Sequence, residues 1–404
     1  MAAPLLIVGN GMAAARLCEE LSARALGRHP VCVIGAEPHL AYNRVLLSEV
    51  LAGRMRAEEA QMKPARWWRD MGVTLQYGTP VAAIDRAGRA AVLADGRRLR
   101  YARLVLATGS SPIRLPLPGM DLDGVHTFRD LADVEALLAA AHRPGTRAVV
   151  IGGGLLGIEA AAGLAGAGVD TTLVHLMDRL MERQLDAPAA ALLRQAVEAR
   201  GVKVELSAFS DAVAGAGRVE GLRLKDGRTL PADLLVVACG VAPNCDLARA
   251  AGLKVGRGIE VDDTLATSDP AIFAIGECCE HRGVTYGLVA PAYEQAAVLA
   301  QRLAGADARY GGSVVSTNLK VSGVHVFSAG DVAGGEGAED IVLADRRLGL
   351  YRRLVIRDGA LVGAVLFGDT ADGPFYLDLI TRRTPIATVR AELAFGRLAA
   401  AAAA

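Results

Sequence analysis

The chain is poor in aromatic residues, in lysine and in paired cysteines, and each shortage excludes something. Phe, Trp and Tyr make up 4% of the 404 residues, and five Lys stand within a total of 44 basic side chains. That bias toward Arg, beside abundant Ala and Gly, carries no function by itself. The 44 acidic residues bring the formal net charge to zero. No global field therefore gathers nucleic acid or an anionic membrane, and only a local basic patch could do so. The six Cys (Cys18, Cys32, Cys239, Cys245, Cys278 and Cys279) include no C-x-x-C pair. That excludes the usual zinc and iron–sulfur spacings, so no metal is expected. Scattered thiols, with no basic segment before the first apolar run, fit a cytoplasmic setting without a signal peptide. The longest apolar stretch, residues 148–168, could span a bilayer by length. It contains Glu159 and seven Gly, and reads instead as a buried strand, a glycine turn and a buried helix.

What is present is apolar and periodic. Hydrophobic residues at 52% and charged residues at 22% support packed cores, and the length suggests two or three domains. Two strand–turn–helix units stand out. The first runs through residues 5–8, a turn at 9–14 and a helix to about 26. The second runs through residues 148–151, a turn at 152–157 and a helix to about 167. Gly9 and Gly152 lie 143 residues apart (152 − 9), too far for a solenoid repeat but suited to two nucleotide domains. Short apolar strands are expected at 31–34, 104–107, 171–175 and 234–238, alternating with helices. That alternation indicates α/β architecture with parallel sheets. Beyond about Gly311 the pattern changes to strands at 319–322, 325–328, 348–356 and 361–367, with a helix at 375–381. The alanine run 399–404 reads as a frayed end.

Gly9, Gly11 and Ala14 form a G-x-G-x-x-A turn after an apolar strand. Such glycines let backbone N–H groups and a helix N-terminus approach a pyrophosphate. Glu37 follows the second strand 28 residues after Gly9 (37 − 9), where a ribose-binding acid is expected; a solvated loop acid is the alternative. Two more strands end at small turns: "LVLATGS", with Ala107, Thr108 and Gly109, and "AIFAIGE", with Gly276 and Glu277, where an acid can meet a ribityl chain. The second glycine turn carries the full G-x-G-x-x-G in Gly152, Gly154 and Gly157, followed by Glu159. After its second strand an acid usually reads the ribose hydroxyls. Here His175 stands 21 residues after Gly154 (175 − 154), with Asp178 and Arg179 close behind. Asp178 suits NADH, and Arg179 suits the 2′-phosphate of NADPH.

The three FAD-type segments resemble the signature of the pyridine nucleotide–disulfide oxidoreductase superfamily, which usually has Asp where Glu277 stands. Gly240 falls in "CGVAPN", which resembles the segment closing the NAD domain there. Pro291 opens "PAYEQAAVLAQRL", the helix whose N-terminus faces the flavin in that superfamily. "YNRVLLSEVLAG", "VHLMDRLMERQLD", "GECCEHRGVTYGLVAPAYEQAAVLA" and "LKVSGVHVFSAGD" resemble the large subunit of NADH-dependent assimilatory nitrite reductases, across about Leu5 to Asp331. They resemble rubredoxin and ferredoxin reductases less closely. The resemblance places Arg44 near the FAD phosphates and favours NADH, with NADPH left open.

It also implies the fold class: two nested Rossmann-like domains plus a small C-terminal α+β domain. FAD would occupy residues 1–120 and 243–310, NAD(P) residues 121–242, and the small domain 311–404. The region that carries redox cysteines in disulfide reductases, residues 42–51, has none. No catalytic side chain is expected, and hydride would pass directly to the flavin. The implied function is an NAD(P)H-dependent flavoprotein passing electrons to a separate iron–sulfur protein or to a nitrate or nitrite reductase. A rubredoxin or ferredoxin reductase is the alternative enzyme, and a non-catalytic FAD-binding redox sensor is the alternative of another class. The Arg-rich stretches 346–353 and 382–390 are candidate docking patches, with internal ion pairs as the other reading. A homodimer through the C-terminal domain stays open.

Overall fold

The computed structural model describes residues 3–24, 30–321, 323–345 and 347–403. The chain forms two compact units. The first comprises residues 1–46, 56–111 and 241–313; the second comprises 47–55, 112–240 and 314–404.

The first unit is built on a parallel sheet in the order Ile272–Ala274, Arg103–Leu106, Leu5–Val8, Val31–Ile34, Val73–Gln76. The strands Leu5–Val8 and Val31–Ile34 are apolar and buried at every position because both faces are covered. Leu5 and Ile7 join one core with Ala14, Leu17, Ala296 and Leu299 of the helices Met12–Arg24 and Val289–Leu303. Leu6 and Val8 point the other way, into a core with Leu104, Leu106, Ile84 and Leu93. Alternation of side chains along a strand thus feeds two cores from one run.

The second unit repeats the arrangement. Its parallel sheet runs Val202–Glu205, Asp170–Val174, Arg147–Ile151, Leu234–Val237, Val125–Thr127. In both sheets the strand feeding the glycine turn is central, and the next strand in sequence lies beside it. The same unit carries an antiparallel five-stranded sheet in the order Ser316–Val321, Val324–Gly330, Ala360–Phe367, Leu350–Arg357, Glu339–Asp345. The helix Gly373–Arg382 packs on it through Tyr376, Leu379 and Ile380.

Several expectations are corrected. Leu348 lies in a turn, and that strand begins at Leu350. The edge strand Glu339–Asp345 was not expected at all. The alanine run, read as frayed, is helical over Arg397–Ala403; alanine has the highest helix propensity of any residue. The first helix is described over Met12–Arg24, and its expected extension to residue 26 lies outside the described residues, as does Ser322. Leu47–Met55 belongs with the second unit, where Leu51 packs against Gly163 on the helix Leu155–Gly166. No helix among the described residues is long and apolar enough to cross a membrane.

Candidate functional site: two glycine cradles

Both parallel sheets end in a glycine loop, but the glycines of each loop differ in why they are needed. Gly9 has φ +111°, and a Cβ there would stand 2.1 Å from the Ala107 carbonyl oxygen. Gly152 has φ +122° and would meet the Ala238 carbonyl at 2.3 Å; a Cβ on Gly157 would meet that of Gly152 at 1.8 Å. The fold itself forbids side chains at these three positions. Gly11 and Gly154 are different. A Cβ on either meets nothing within 4 Å, and Gly154 sits in an ordinary extended conformation (φ −85°, ψ −174°). The chain does not require glycine at either place. What remains is an open cradle at the start of a helix, where backbone N–H groups can meet a pyrophosphate.

In the first unit the other expected residues gather at the same edge of the sheet. Ala107 follows its strand and donates its N–H to Val8 at 2.8 Å. Thr108 and Gly109 are clamped by Asn244, whose side chain donates to the Thr108 carbonyl at 2.9 Å and whose carbonyl accepts from the Thr108 hydroxyl at 2.8 Å. The Ser110 hydroxyl donates to Glu277 at 2.7 Å. Gly276, at φ +82°, donates its N–H to the buried Gln295 side chain at 2.7 Å. Gln295 stands one turn after Pro291, itself the third residue of the helix Val289–Leu303. Glu37 accepts from the Tyr42 hydroxyl at 2.6 Å and pairs with Arg44, whose guanidinium lies 4.9 Å over the Tyr42 ring. Ala14 is fully buried in the core behind the loop. Asn10, between the two glycines, donates to the His39 carbonyl at 3.1 Å and leaves its Oδ1 buried without a donor. Such an orphaned acceptor beside an open cradle suits a group that brings its own hydroxyls or amines. Sequence reasoning missed Asn10, Asn244 and Gln295 as site residues, although each lay inside a motif already quoted.

In the second unit His175 is buried, and both ring nitrogens are engaged. Nδ1 accepts the Gly153 N–H at 3.0 Å, and Nε2 lies 3.0 Å from Glu182. Asp178 and Arg179 pair with each other at 3.0 Å. Gly240, with φ +104°, lies in the turn after the neighbouring strand Leu234–Val237. Glu159 is buried on the helix Leu155–Gly166, and burial, with the nearby Glu49 carboxylate adding to it, pushes its pKa up to about 8.

Among the described residues no group of His, Cys, Asp or Glu could hold a metal. Burial raises the thiol pKa of Cys18 to about 12 and those of Cys239 and Cys245 to about 11, and moves Cys32, Cys278 and Cys279 upward as well. A protonated thiol is a poor nucleophile. On the direct hydride route that the sequence resemblance implies, replacing all six by Ser or Ala should leave NADH-driven reduction of an artificial acceptor largely intact in protein that folds and retains flavin. A folded, flavin-loaded variant without turnover would contradict this. Several arginines of the Arg-rich stretches pair within the chain: Arg352 with Asp372 at 3.2 Å, Arg353 with Asp340 at 2.9 Å, Arg382 with Asp378 at 2.8 Å, and Arg390 with Glu339. Arg352 and Arg353 are largely buried, whereas Arg382, Arg383 and Arg390 are exposed. Arg346 lies outside the described residues.

Residues 3–298 match the family described as Pyridine nucleotide-disulphide oxidoreductase, and residues 316–384 match the Rubredoxin NAD+ reductase C-terminal domain. The chain is 45% identical to a nitrite reductase [NAD(P)H] of Bacillus subtilis, over 95% of this chain and 48% of that one. It is 41% identical to the assimilatory nitrate reductase electron transfer subunit of the same organism, over 96% and 50%. It thus spans about half the length of these relatives. Among solved structures, putidaredoxin reductase in its covalent complex with putidaredoxin matches with a TM-score of 0.88 at 28% identity, covering 99% of both chains.

Proposed function

The chain belongs to the pyridine nucleotide-disulphide oxidoreductase family, an FAD- and NAD(P)H-dependent group of reductases, and from that premise we propose that it passes electrons from NADH or NADPH through FAD to a separate iron–sulfur partner in nitrate or nitrite assimilation. The observation that carries the reading is the pair of open cradles at Gly11 and Gly154, one beyond the central strand of each parallel sheet. FAD bound at the first cradle would supply a two-electron hydride acceptor able to release its electrons one at a time. In the first unit Gly11 and the helix from Met12 would hold the pyrophosphate. Glu37 would accept from ribose hydroxyls and Arg44 would neutralise phosphate. Glu277 would bind the ribityl chain, oriented by Ser110. Gln295 fixes the Gly276 loop, so that Glu277 does not swing away. In the second unit Gly154 would receive the nicotinamide dinucleotide. The absence of any redox C-x-x-C pair favours a route without a protein thiol.

The assimilatory assignment rests on the two Bacillus subtilis relatives. A cytoplasmic location, a transient acceptor complex and a homodimer are parts of the same proposal. The ferredoxin reductase reading is favoured by the likeness to putidaredoxin reductase. Purified protein should be yellow, carry one FAD per chain and no stoichiometric iron, and turn over NADH steadily with an artificial acceptor. Flavin that binds but never bleaches with NADH or NADPH would indicate the sensor reading instead. Product formation with a co-encoded nitrate or nitrite reductase tests the partner. Failure there, with fast reduction of a rubredoxin or ferredoxin, would move the assignment to the second reading.

A further inference from the structure

In the second unit, the place usually held by a ribose-reading acid is taken by a residue facing the other way. His175 follows the strand Asp170–Val174, and its ring lies beneath the glycine loop rather than beside it. The ring fits there because Gly153 has no side chain; a Cβ on Gly153 would stand 2.5 Å from the His175 Cγ. Both backbone groups of Gly153 are held by the following segment. Its N–H donates to His175 Nδ1 at 3.0 Å, and its carbonyl accepts from the Met181 N–H at 2.9 Å. Nδ1 is therefore the bare nitrogen and Nε2 carries the hydrogen, which points to Glu182 at 3.0 Å. Neither ring nitrogen is left for a ribose hydroxyl.

What faces outward beyond His175 is apolar. Leu176 is 53% exposed and Met177 is 39% exposed. Their backbone is fastened to the next strand end, with the Ala208 N–H donating to His175 at 3.0 Å and the Ser207 N–H to Met177 at 2.8 Å. The charges behind them cancel. Asp178 pairs with Arg179 at 3.0 Å, and Glu182 has Arg183 at 3.9 Å. A carboxylate rejects a 2′-phosphate and accepts ribose hydroxyls, and a free guanidinium does the reverse. This segment presents neither alone.

Building on the proposed role of the Gly154 cradle, we infer that the site takes NADH and NADPH with near-equal efficiency, because His175 is turned inward to hold Gly153 and leaves an uncharged lip of Leu176 and Met177 at the adenosine ribose. His175 is a positioning residue. It fixes the loop for both coenzymes and reads neither.

The test is kcat/KM for NADH and NADPH with flavin-loaded protein. The ratio should lie within about tenfold of one, a difference of ~1.4 kcal/mol. Leu176→Glu should move the ratio toward NADH by about tenfold or more, through repulsion of the 2′-phosphate. Leu176→Gln, of the same shape without charge, should leave it within about threefold. His175→Ala should raise KM for both coenzymes by a similar factor with kcat little changed. A parent ratio beyond about a hundredfold overturns the inference. So does a Leu176→Glu ratio equal to the parent's, a Leu176→Gln shift as large as that of Leu176→Glu, or a His175→Ala effect confined to one coenzyme. If neither coenzyme bleaches the bound flavin of the parent, the function proposed above fails, and this inference fails with it.

Discussion

Gly154→Val is expected to lower kcat/KM for NADH reduction of the flavin by about a hundredfold or more, with flavin content and melting temperature little changed. The expectation rests on what the chain itself tolerates. Gly154 has φ −85° and ψ −174°, a conformation any residue adopts, and a Cβ there touches nothing within 4 Å. A valine would therefore fill open space at no great cost to the fold. If that space receives a pyrophosphate, the branched side chain displaces it. Gly152 and Gly157 could not serve as test sites, since a Cβ at either strikes a carbonyl oxygen at 2.3 Å or 1.8 Å. Loss of activity there would report misfolding. Gly11→Val is the matched control, because Gly11 has the same free space in the first unit. It should yield protein depleted of FAD, whereas Gly154→Val should stay yellow. Stopped-flow bleaching reads the result, and unchanged bleaching in Gly154→Val would place the nicotinamide coenzyme elsewhere.

The glycine turns were legible in the sequence because each follows a strand that is apolar at consecutive positions, 5–8 and 148–151. Sequence could not say which glycines the backbone demands, since that depends on the neighbouring strand. Ala107 and Ala238, whose carbonyls crowd Gly9 and Gly152, lie 98 and 86 residues away (107 − 9 and 238 − 152). His175 was legible as a position but not as an orientation. Its inward turn depends on Gly153, a glycine that the G-x-G-x-x-G pattern does not require. The edge strand Glu339–Asp345 was missed because six of its seven residues are exposed and no apolar alternation marks it. Gln295 carried no mark in the sequence beyond its place in a helix. It is buried because the helix Val289–Leu303 lies against the Gly276 turn, and a tertiary contact of that kind leaves no periodic mark.

Glu159→Gln should raise the melting temperature by several degrees at neutral pH, and the gain should grow with pH. Glu159 is 9% exposed, and burial first, then the Glu49 carboxylate, pushes its pKa up to about 8 from the ordinary 4.5. The side chain is thus neutral in the folded chain at pH 7 but ionised once unfolded. Below about pH 4.5 both states hold the proton, and the carboxyl imposes no penalty. As pH rises toward 8 the unfolded state releases the proton and the folded state keeps it, so stability falls throughout that window. Above about 8 both states are ionised and the deficit levels off. The span of 3.5 (8 − 4.5) corresponds to a deficit of up to about 5 kcal/mol. Glutamine keeps the shape without the titration, so it should escape the deficit. The comparison is a series of thermal scans of FAD-loaded parent and variant without nicotinamide coenzyme, from pH 4.5 to 8.5. A difference in melting temperature that is flat with pH, or that shrinks as pH rises, would contradict a buried neutral carboxyl at this position. Glu159 also stands one turn beyond Leu155, the first residue of the helix that opens from the Gly154 cradle. Its protonated carboxyl can donate a hydrogen bond that a carboxylate cannot. Glutamine retains a donor, so the same variant should keep NADH turnover within a few-fold of the parent.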